Sequence, residues 1–137
     1  QLFASVGTTD AEILRNRSDP SVVGNKTPRN VPWMTNVGFQ YEVQLSPALG
    51  FMARVDYQHR DQKYWEANNV HVQDALDMVD ARVGLQAAQW SIFAYGRNLL
   101  DEEYYADLAT PLTSGLDVFL GTLGQPASYG IEMRYQF

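Results

Sequence analysis

The sequence contains no cysteine, which excludes disulfide bonds and thiolate metal sites within the chain. Basic residues are also scarce: ten Lys and Arg stand against sixteen Asp and Glu, for a formal net charge of −6. Phosphate contacts need a basic face, so this balance argues against a nucleic-acid partner. No run of roughly 18 apolar residues occurs, and a transmembrane helix is not expected. A membrane β-barrel stays compatible with these absences, because its individual strands give a weak signal.

Alternation of apolar and polar residues is the dominant pattern that is present. Residues 127–137 close the chain with Tyr, Ile, Met, Tyr and Phe at odd positions and Gly, Glu, Arg and Gln between them. Such period-2 alternation predicts a strand with one apolar and one polar face. Similar patterns predict strands at residues 2–8, 33–45, 50–65, 78–87 and 90–98. In the segment 90–98 both faces are fairly apolar, so its face assignment stays open.

The connections between these predicted strands alternate between long and short. Residues 10–32, 66–77 and 99–126 form long links, whereas residues 46–48 and 88–89 form tight turns. One rim of the sheet should therefore carry the long loops and the other the tight turns, as in transmembrane barrels. The last strand also has the roughly 9–11 residues that cross a bilayer at a tilt. We predict an all-β fold: an antiparallel up-and-down transmembrane β-barrel, of which this chain supplies about six strands.

Two other folds fit the alternation. In a soluble, lipocalin-like β-barrel or sandwich that binds a small ligand, the apolar face would turn inward to a core. In a small, self-contained membrane barrel the chain would act as an adhesin or scaffold, but a barrel with a filled interior takes about eight strands. The larger transmembrane barrel makes a distinct prediction, namely that Phe39, Val55 and Ile131 face lipid.

The polar faces of the predicted strands carry charges of both signs, which suits a wet or plugged lumen. We predict that six of these charges face the lumen: Arg54, Asp56, Asp80, Arg82, Glu132 and Arg134. If Val55 faces Val83 on the neighbouring strand, the register places Asp56 opposite Arg82, and we expect these two to pair.

Three motifs resemble those of TonB-dependent outer-membrane receptors. Residues 24–32 read Gly-Asn-Lys-Thr-Pro-Arg-Asn-Val-Pro, similar to the family's "GN..P.VP" before a late barrel strand. Residues 98–104 read Asn-Leu-Leu-Asp-Glu-Glu-Tyr, similar to its "NL.D..Y". Residues 120–130 and the final Tyr-Gln-Phe resemble its closing "G.PR.YG…Y.F", except that Ala127 stands where the family usually carries Arg. The motifs occur in the family's order along nearly the whole chain.

The resemblance implies that residues 1–137 are the C-terminal portion of a 22-stranded, plugged barrel in the bacterial outer membrane. Its partners would be outer-membrane lipid, the rest of the same barrel, an N-terminal plug and, through that plug, the TonB system. The implied function is uptake of an iron chelate or a similar scarce nutrient as a small-molecule ligand. The resemblance also implies that Ile131, Met133, Tyr135 and Phe137 form the signal read by the barrel assembly machinery.

Aromatic residues in the long loops admit two interpretations. They form an interfacial belt at headgroup level, which we favour, or they line an extracellular vestibule and contact the ligand. The ligand-binding candidates are Trp65, Tyr104, Tyr105 and Phe119. Trp33 would join a belt at the long-loop rim, and Trp90 would lie near the opposite rim.

The sequence gives little sign of catalysis. The two histidines, His59 and His71, are accompanied by no nucleophile elbow, zinc-binding helix or phosphate-binding loop. The acidic run at residues 101–103 is more typical of a solvated surface than of a cation site. We therefore expect no enzymatic activity, no metal and no cofactor.

Overall fold

A computed structural model describes all 137 residues. Its strands, in chain order, are β1 (Leu2–Thr8), β2 (Trp33–Ser46), β3 (Leu49–Arg60), β4 (Lys63–Tyr64), β5 (Val72–Gln73), β6 (Leu76–Ala87), β7 (Trp90–Arg97), β8 (Tyr105–Ala109), β9 (Leu120–Leu123) and β10 (Ser128–Tyr135). A 3-10 helix covers Pro20–Val22, and helix α1 covers Pro111–Ser114. Neither helix has the length and apolar character needed to cross a membrane.

Six of the strands form one antiparallel sheet in the order β1-β2-β3-β6-β7-β10. Each pairs with the next of the six along the chain, so the sheet is an up-and-down meander, as predicted. The β2–β3 and β6–β7 connections are tight turns, and the other three are long. All long loops therefore leave from one rim, which we call the loop rim; the opposite edge is the turn rim.

Two of the long loops contain short strands that the alternation did not predict. The strand expected to run from residue 50 to 65 ends at Arg60; Lys63–Tyr64 instead pairs with Val72–Gln73 as a separate small hairpin. The loop at residues 99–126 contains the β8–β9 hairpin and helix α1. These hairpins build a layer of backbone above the loop rim.

The pairing of β3 with β6 differs from the predicted register. Val55 faces Ala81 rather than Val83, so Asp56 lies opposite Asp80, and Arg54 lies opposite Arg82. The expected Asp56–Arg82 pair was therefore wrong by two residues. Asp56 is instead bound by Arg54 of its own strand, through two hydrogen bonds of 2.7 and 2.8 Å. Residues two apart on a strand share a face, which allows this contact.

The sheet has two distinct surfaces, one mainly apolar and the other mainly polar and charged. The apolar face includes Phe39 and Val55, which are directly opposite each other, and Ile131, which faces Ala94. These three side chains are 53%, 45% and 69% exposed. The sheet thus has no packed core against its apolar face. Large buried hydrophobic side chains are few: Val22, Trp65, Leu76 and Phe93.

Candidate functional site

The three long loops are tied together at the loop rim. Asn25 donates its side-chain amide to the carbonyl of Ala67 at 2.9 Å, and the backbone N–H of Lys26 donates to Asn69 Oδ1 at 2.8 Å. The third loop joins through Tyr105, whose N–H donates to Gln73 Oε1 at 3.0 Å. Arg29 of the first loop also forms an ion pair with Asp107 at 2.9 Å. The loops therefore form one connected layer.

The centre of this layer is Trp65 and Glu66, each only 2% exposed. Glu66 is paired with the imidazole of His71, whose ring meets Phe119 edge-on at 5.1 Å. Two cations lie over the Trp65 ring: Lys63 Nζ is 4.2 Å from its centroid and the Arg29 guanidinium carbon 5.9 Å. The periodicity of the sequence could not reveal this cluster, because its members come from different loops.

The four aromatic ligand-binding candidates occupy different environments. Trp65 is buried and has almost no surface to offer a ligand in this arrangement. Tyr104 is half-buried, with its ring packed where Gly124 leaves room. Tyr105 and Phe119 are exposed. The belt candidates Trp33 and Trp90 are both exposed at opposite rims of the apolar face.

The six predicted lumen charges all lie on the face opposite the apolar one, which we call the charged face. Along this face Arg82 contacts Glu132 at 3.4 Å, and Arg134 contacts the same carboxylate at 3.6 Å. Asp80 accepts a hydrogen bond from the N–H of Asn98 at 2.9 Å. Arg82 of β6 therefore reaches Glu132 of β10 across the intervening β7, whereas Asp56 is held by Arg54 within β3.

Aromatic rings on the charged face are covered by arginines, which the sequence did not indicate. Ile92 and Ala94 of β7 lie opposite Met133 and Ile131 and so belong to the apolar face. Phe93 consequently points to the charged face, where the Arg82 guanidinium lies 4.2 Å above its ring. Comparable stacks join Arg54 to Phe3 at 5.3 Å and Arg97 to Tyr95 at 5.4 Å. Such stacks let apolar rings face a polar space.

Each of the two histidines is paired with a carboxylate. His59 Nδ1 lies 2.8 Å from Asp77 Oδ1, which also accepts a hydrogen bond from the Tyr57 hydroxyl at 2.6 Å. These three residues lie near the loop rim on the apolar face. His71 is engaged by Glu66. The structure brings neither histidine beside a nucleophile, and it contains no group of three or more metal-ligating side chains.

A sheet with one exposed apolar face, one charged face and long loops at a single rim is a segment of a barrel wall. Among solved structures, the chain is similar to the ferric yersiniabactin uptake receptor FyuA from Yersinia pestis, with a TM-score of 0.73 and 18% sequence identity. The match covers 89% of this chain and 19% of that receptor, so this chain spans about a fifth of its length. No protein-family model matches the sequence.

At this identity the match establishes the fold. The chain has an all-β, antiparallel, up-and-down fold that it shares with part of that receptor, and the predicted fold class is confirmed. The soluble lipocalin-like alternative is not favoured, since its apolar face would be buried in a core.

Proposed function

We propose that this chain is part of the barrel wall of a TonB-dependent transporter in the bacterial outer membrane. The observation that carries this proposal is the two-faced sheet, whose apolar side chains are exposed while its charges line the opposite face. In a bilayer the apolar face meets acyl chains and the charged face borders the lumen. Likeness to part of an uptake receptor supports the same assignment.

The cargo that we propose is an iron chelate or a similar scarce nutrient. Support comes from the receptor-like fold and from the order of the three motifs, which also favours the C-terminal portion of the barrel. The remaining barrel strands would pair with the free edges of β1 and β10, since an unpaired edge strand readily takes another strand. A plug within the lumen would meet the charged face and would carry the link to TonB.

Cysteine labelling tests the membrane orientation directly, because the chain has no cysteine of its own. Single cysteines at Phe39, Val55 and Ile131 should resist a charged maleimide in membranes. A bimane fluorophore attached there in detergent should be quenched by brominated lipid after reconstitution. Cysteines at the neighbouring Gln40, Arg54 and Glu132 are the matched controls and should show neither protection nor quenching. Equal labelling of both sets would contradict the proposed orientation.

Uptake is tested separately. A strain that lacks the complete gene should fail to accumulate radiolabelled iron from at least one chelate, and the intact gene should restore accumulation. If every chelate and other scarce nutrient tested is accumulated equally by both strains, the transport proposal is wrong even where the orientation holds.

A further inference from the structure

The β4–β5 hairpin of the second long loop ends in a turn that is closed by the side chains of Glu66 and His71. The backbone supports this turn, since Trp65 N–H donates to the carbonyl of His71 at 2.9 Å and Asn69 N–H donates to the carbonyl of Glu66 at 3.1 Å. His71 Nδ1 contacts Glu66 Oε1 across the turn. The Glu66 side chain is 1% exposed, whereas that of His71 is 39% exposed. Only the histidine of this pair can therefore exchange protons directly with water.

The charge of Glu66 depends on His71 alone. Glu66 Oε2 is buried and accepts no hydrogen bond, and His71 is the only ion-pair partner of this carboxylate. A buried carboxylate is costly unless an opposite charge compensates it. An imidazole supplies that charge only while both of its ring nitrogens carry protons. Histidine is the side chain that ordinarily gains or loses its charge between about pH 5 and pH 8.

The charged groups of the surrounding elements are engaged elsewhere. On β4, Lys63 Nζ lies 4.2 Å from the centroid of the Trp65 ring. From the first loop, the Arg29 guanidinium faces the same ring and pairs with Asp107 of the third loop at 2.9 Å. The Lys26 ammonium is bound by two carboxylates of its own loop. The further titratable neighbours of the hairpin, along the chain or across it, form no ion pair with Glu66 or His71: Arg60, Tyr64, Asp74 and Tyr105.

The His71 ring also contacts the third loop. Phe119 meets it edge-on, with the ring centroids 5.1 Å apart. Two residues along the same hairpin, Gln73 Oε1 accepts a hydrogen bond from the N–H of Tyr105, which begins β8, at 3.0 Å. Displacement of the His71 ring would therefore release Phe119, and with it the adjoining strand β9, from the second loop.

We infer that Glu66 and His71 form a pH-sensitive latch, which holds the third loop against the second while His71 is protonated and releases it when His71 loses its charge. Loss of that proton leaves the Glu66 carboxylate buried beside a neutral imidazole. Hydration of the carboxylate then becomes favourable, and it requires the turn to open. The latch therefore stabilises the closed arrangement at about pH 6 and loses this contribution as the pH rises. It needs no cargo, so it goes beyond the proposed transport function.

Double electron–electron resonance on the intact receptor tests the latch, with spin labels attached at Val70→Cys and Leu120→Cys. Both positions are exposed, and each adjoins one ring of the His71–Phe119 contact. At about pH 6 the distance between the labels should form one narrow population. At about pH 8.5 a longer population should appear and should account for roughly half of the molecules or more.

Two isosteric variants assign this response to the pair. His71→Gln removes the titrating group and should give the same distance distribution at both pH values. Glu66→Gln removes the buried charge but keeps an oxygen that accepts from His71 Nδ1, so the narrow population should persist at both pH values. Because His71 is partly exposed, its replacement remains informative even if the buried Glu66→Gln variant does not fold.

Two further variants are matched controls. His59→Gln removes the other histidine, which is paired with Asp77 on the main sheet, and it should keep the wild-type response. Lys63→Gln addresses the neighbouring lysine, because burial lowers the pKa of Lys63 from its usual range. This variant should also keep the response if His71 is the group that titrates.

Several results would overturn the latch: identical distance distributions of the wild type at the two pH values, a longer population at the lower pH instead, or a response that persists in His71→Gln. Loss of the response in Lys63→Gln or His59→Gln would also reject it, since another group would then be the sensor. A failed uptake test would leave the latch standing, and uptake by a receptor whose loops do not respond to pH would support the transport proposal alone.

Discussion

Asn98 and Gln125 are joined across the base of the third long loop by a hydrogen bond of 3.0 Å from Asn98 Nδ2 to the carbonyl of Gln125. The same amide group donates to the carbonyl of Glu102 at 2.9 Å, and its oxygen accepts from the N–H of Glu102 at 3.0 Å. Asn98 is 2% exposed and has a positive φ of 49°. One buried side chain therefore fixes both ends of the loop.

Replacing this side chain should release the loop. Asn98→Ala removes three hydrogen bonds and leaves a left-handed backbone that alanine disfavours, so we expect a local destabilisation of about 2–4 kcal/mol. Hydrogen exchange of residues 99–126 should accelerate, and proteases should cut there sooner. The control is Leu100→Ala at an exposed position of the same loop. Unchanged exchange in Asn98→Ala would show that the amide is not the anchor.

A second prediction concerns Gly84 on the charged face. A Cβ at this position would collide with the carbonyl of Ile92 and the ring of Phe93, and would lie 2.8 Å from Phe93 Cα. Gly84→Ala should therefore push β6 from β7 and disturb the Arg82–Phe93 stack, at a cost of about 1–3 kcal/mol. Gly50→Ala is the matched control, since its nearest neighbour would be at 3.5 Å. Equilibrium unfolding in lipid vesicles measures the unfolding free energies of Gly84→Ala and Gly50→Ala. Equal unfolding free energies of the two variants would contradict the packing argument.

The register of β3 against β6 gives a third prediction. The paired cysteines of Asp56→Cys with Asp80→Cys should oxidise to a disulfide, because directly opposite residues meet the distance that the bond requires. Asp56→Cys with Arg82→Cys should not, as diagonal neighbours lie about 7–8 Å apart. Mobility on a non-reducing gel distinguishes the two. A disulfide in the second pair alone would restore the register inferred from the sequence.

The register of β3 against β6 could not be derived from the sequence. Alternation has a period of two, so a slip of two residues leaves every side chain on its original face. The pattern therefore predicted the six strands of the main sheet, the rims and the faces of every strand except residues 90–98, but it could not choose between Ala81 and Val83 as the partner of Val55. The connection at residues 61–75 is also too long to fix the register of β3 against β6. The contacts among Arg29, Lys63 and Trp65 were unpredictable for a related reason, since they depend on how separate loops pack.

The final prediction concerns Phe137, which the family resemblance assigns to the assembly signal together with Ile131, Met133 and Tyr135. The Phe137 side chain is fully exposed, and its ring meets Tyr135 edge-on at 5.2 Å. The folded sheet therefore gains little from it, and Phe137→Ala should change the unfolding free energy of the refolded protein by less than about 1 kcal/mol. We propose that its role precedes folding, as a contact of an unpaired edge strand with the assembly machinery.

Phe137→Ala should consequently lower the amount of receptor assembled in the outer membrane while leaving the stability of the molecules that do assemble unchanged. Tyr129→Ala, on the same face at the other end of β10, is the control and should assemble normally. Quantifying the heat-modifiable, folded band in membrane fractions measures assembly, and denaturant titration of purified protein measures stability. Normal assembly of Phe137→Ala, or an equal loss in both variants, would reject a specific terminal signal, since a merely structural contribution would appear in the titration as well.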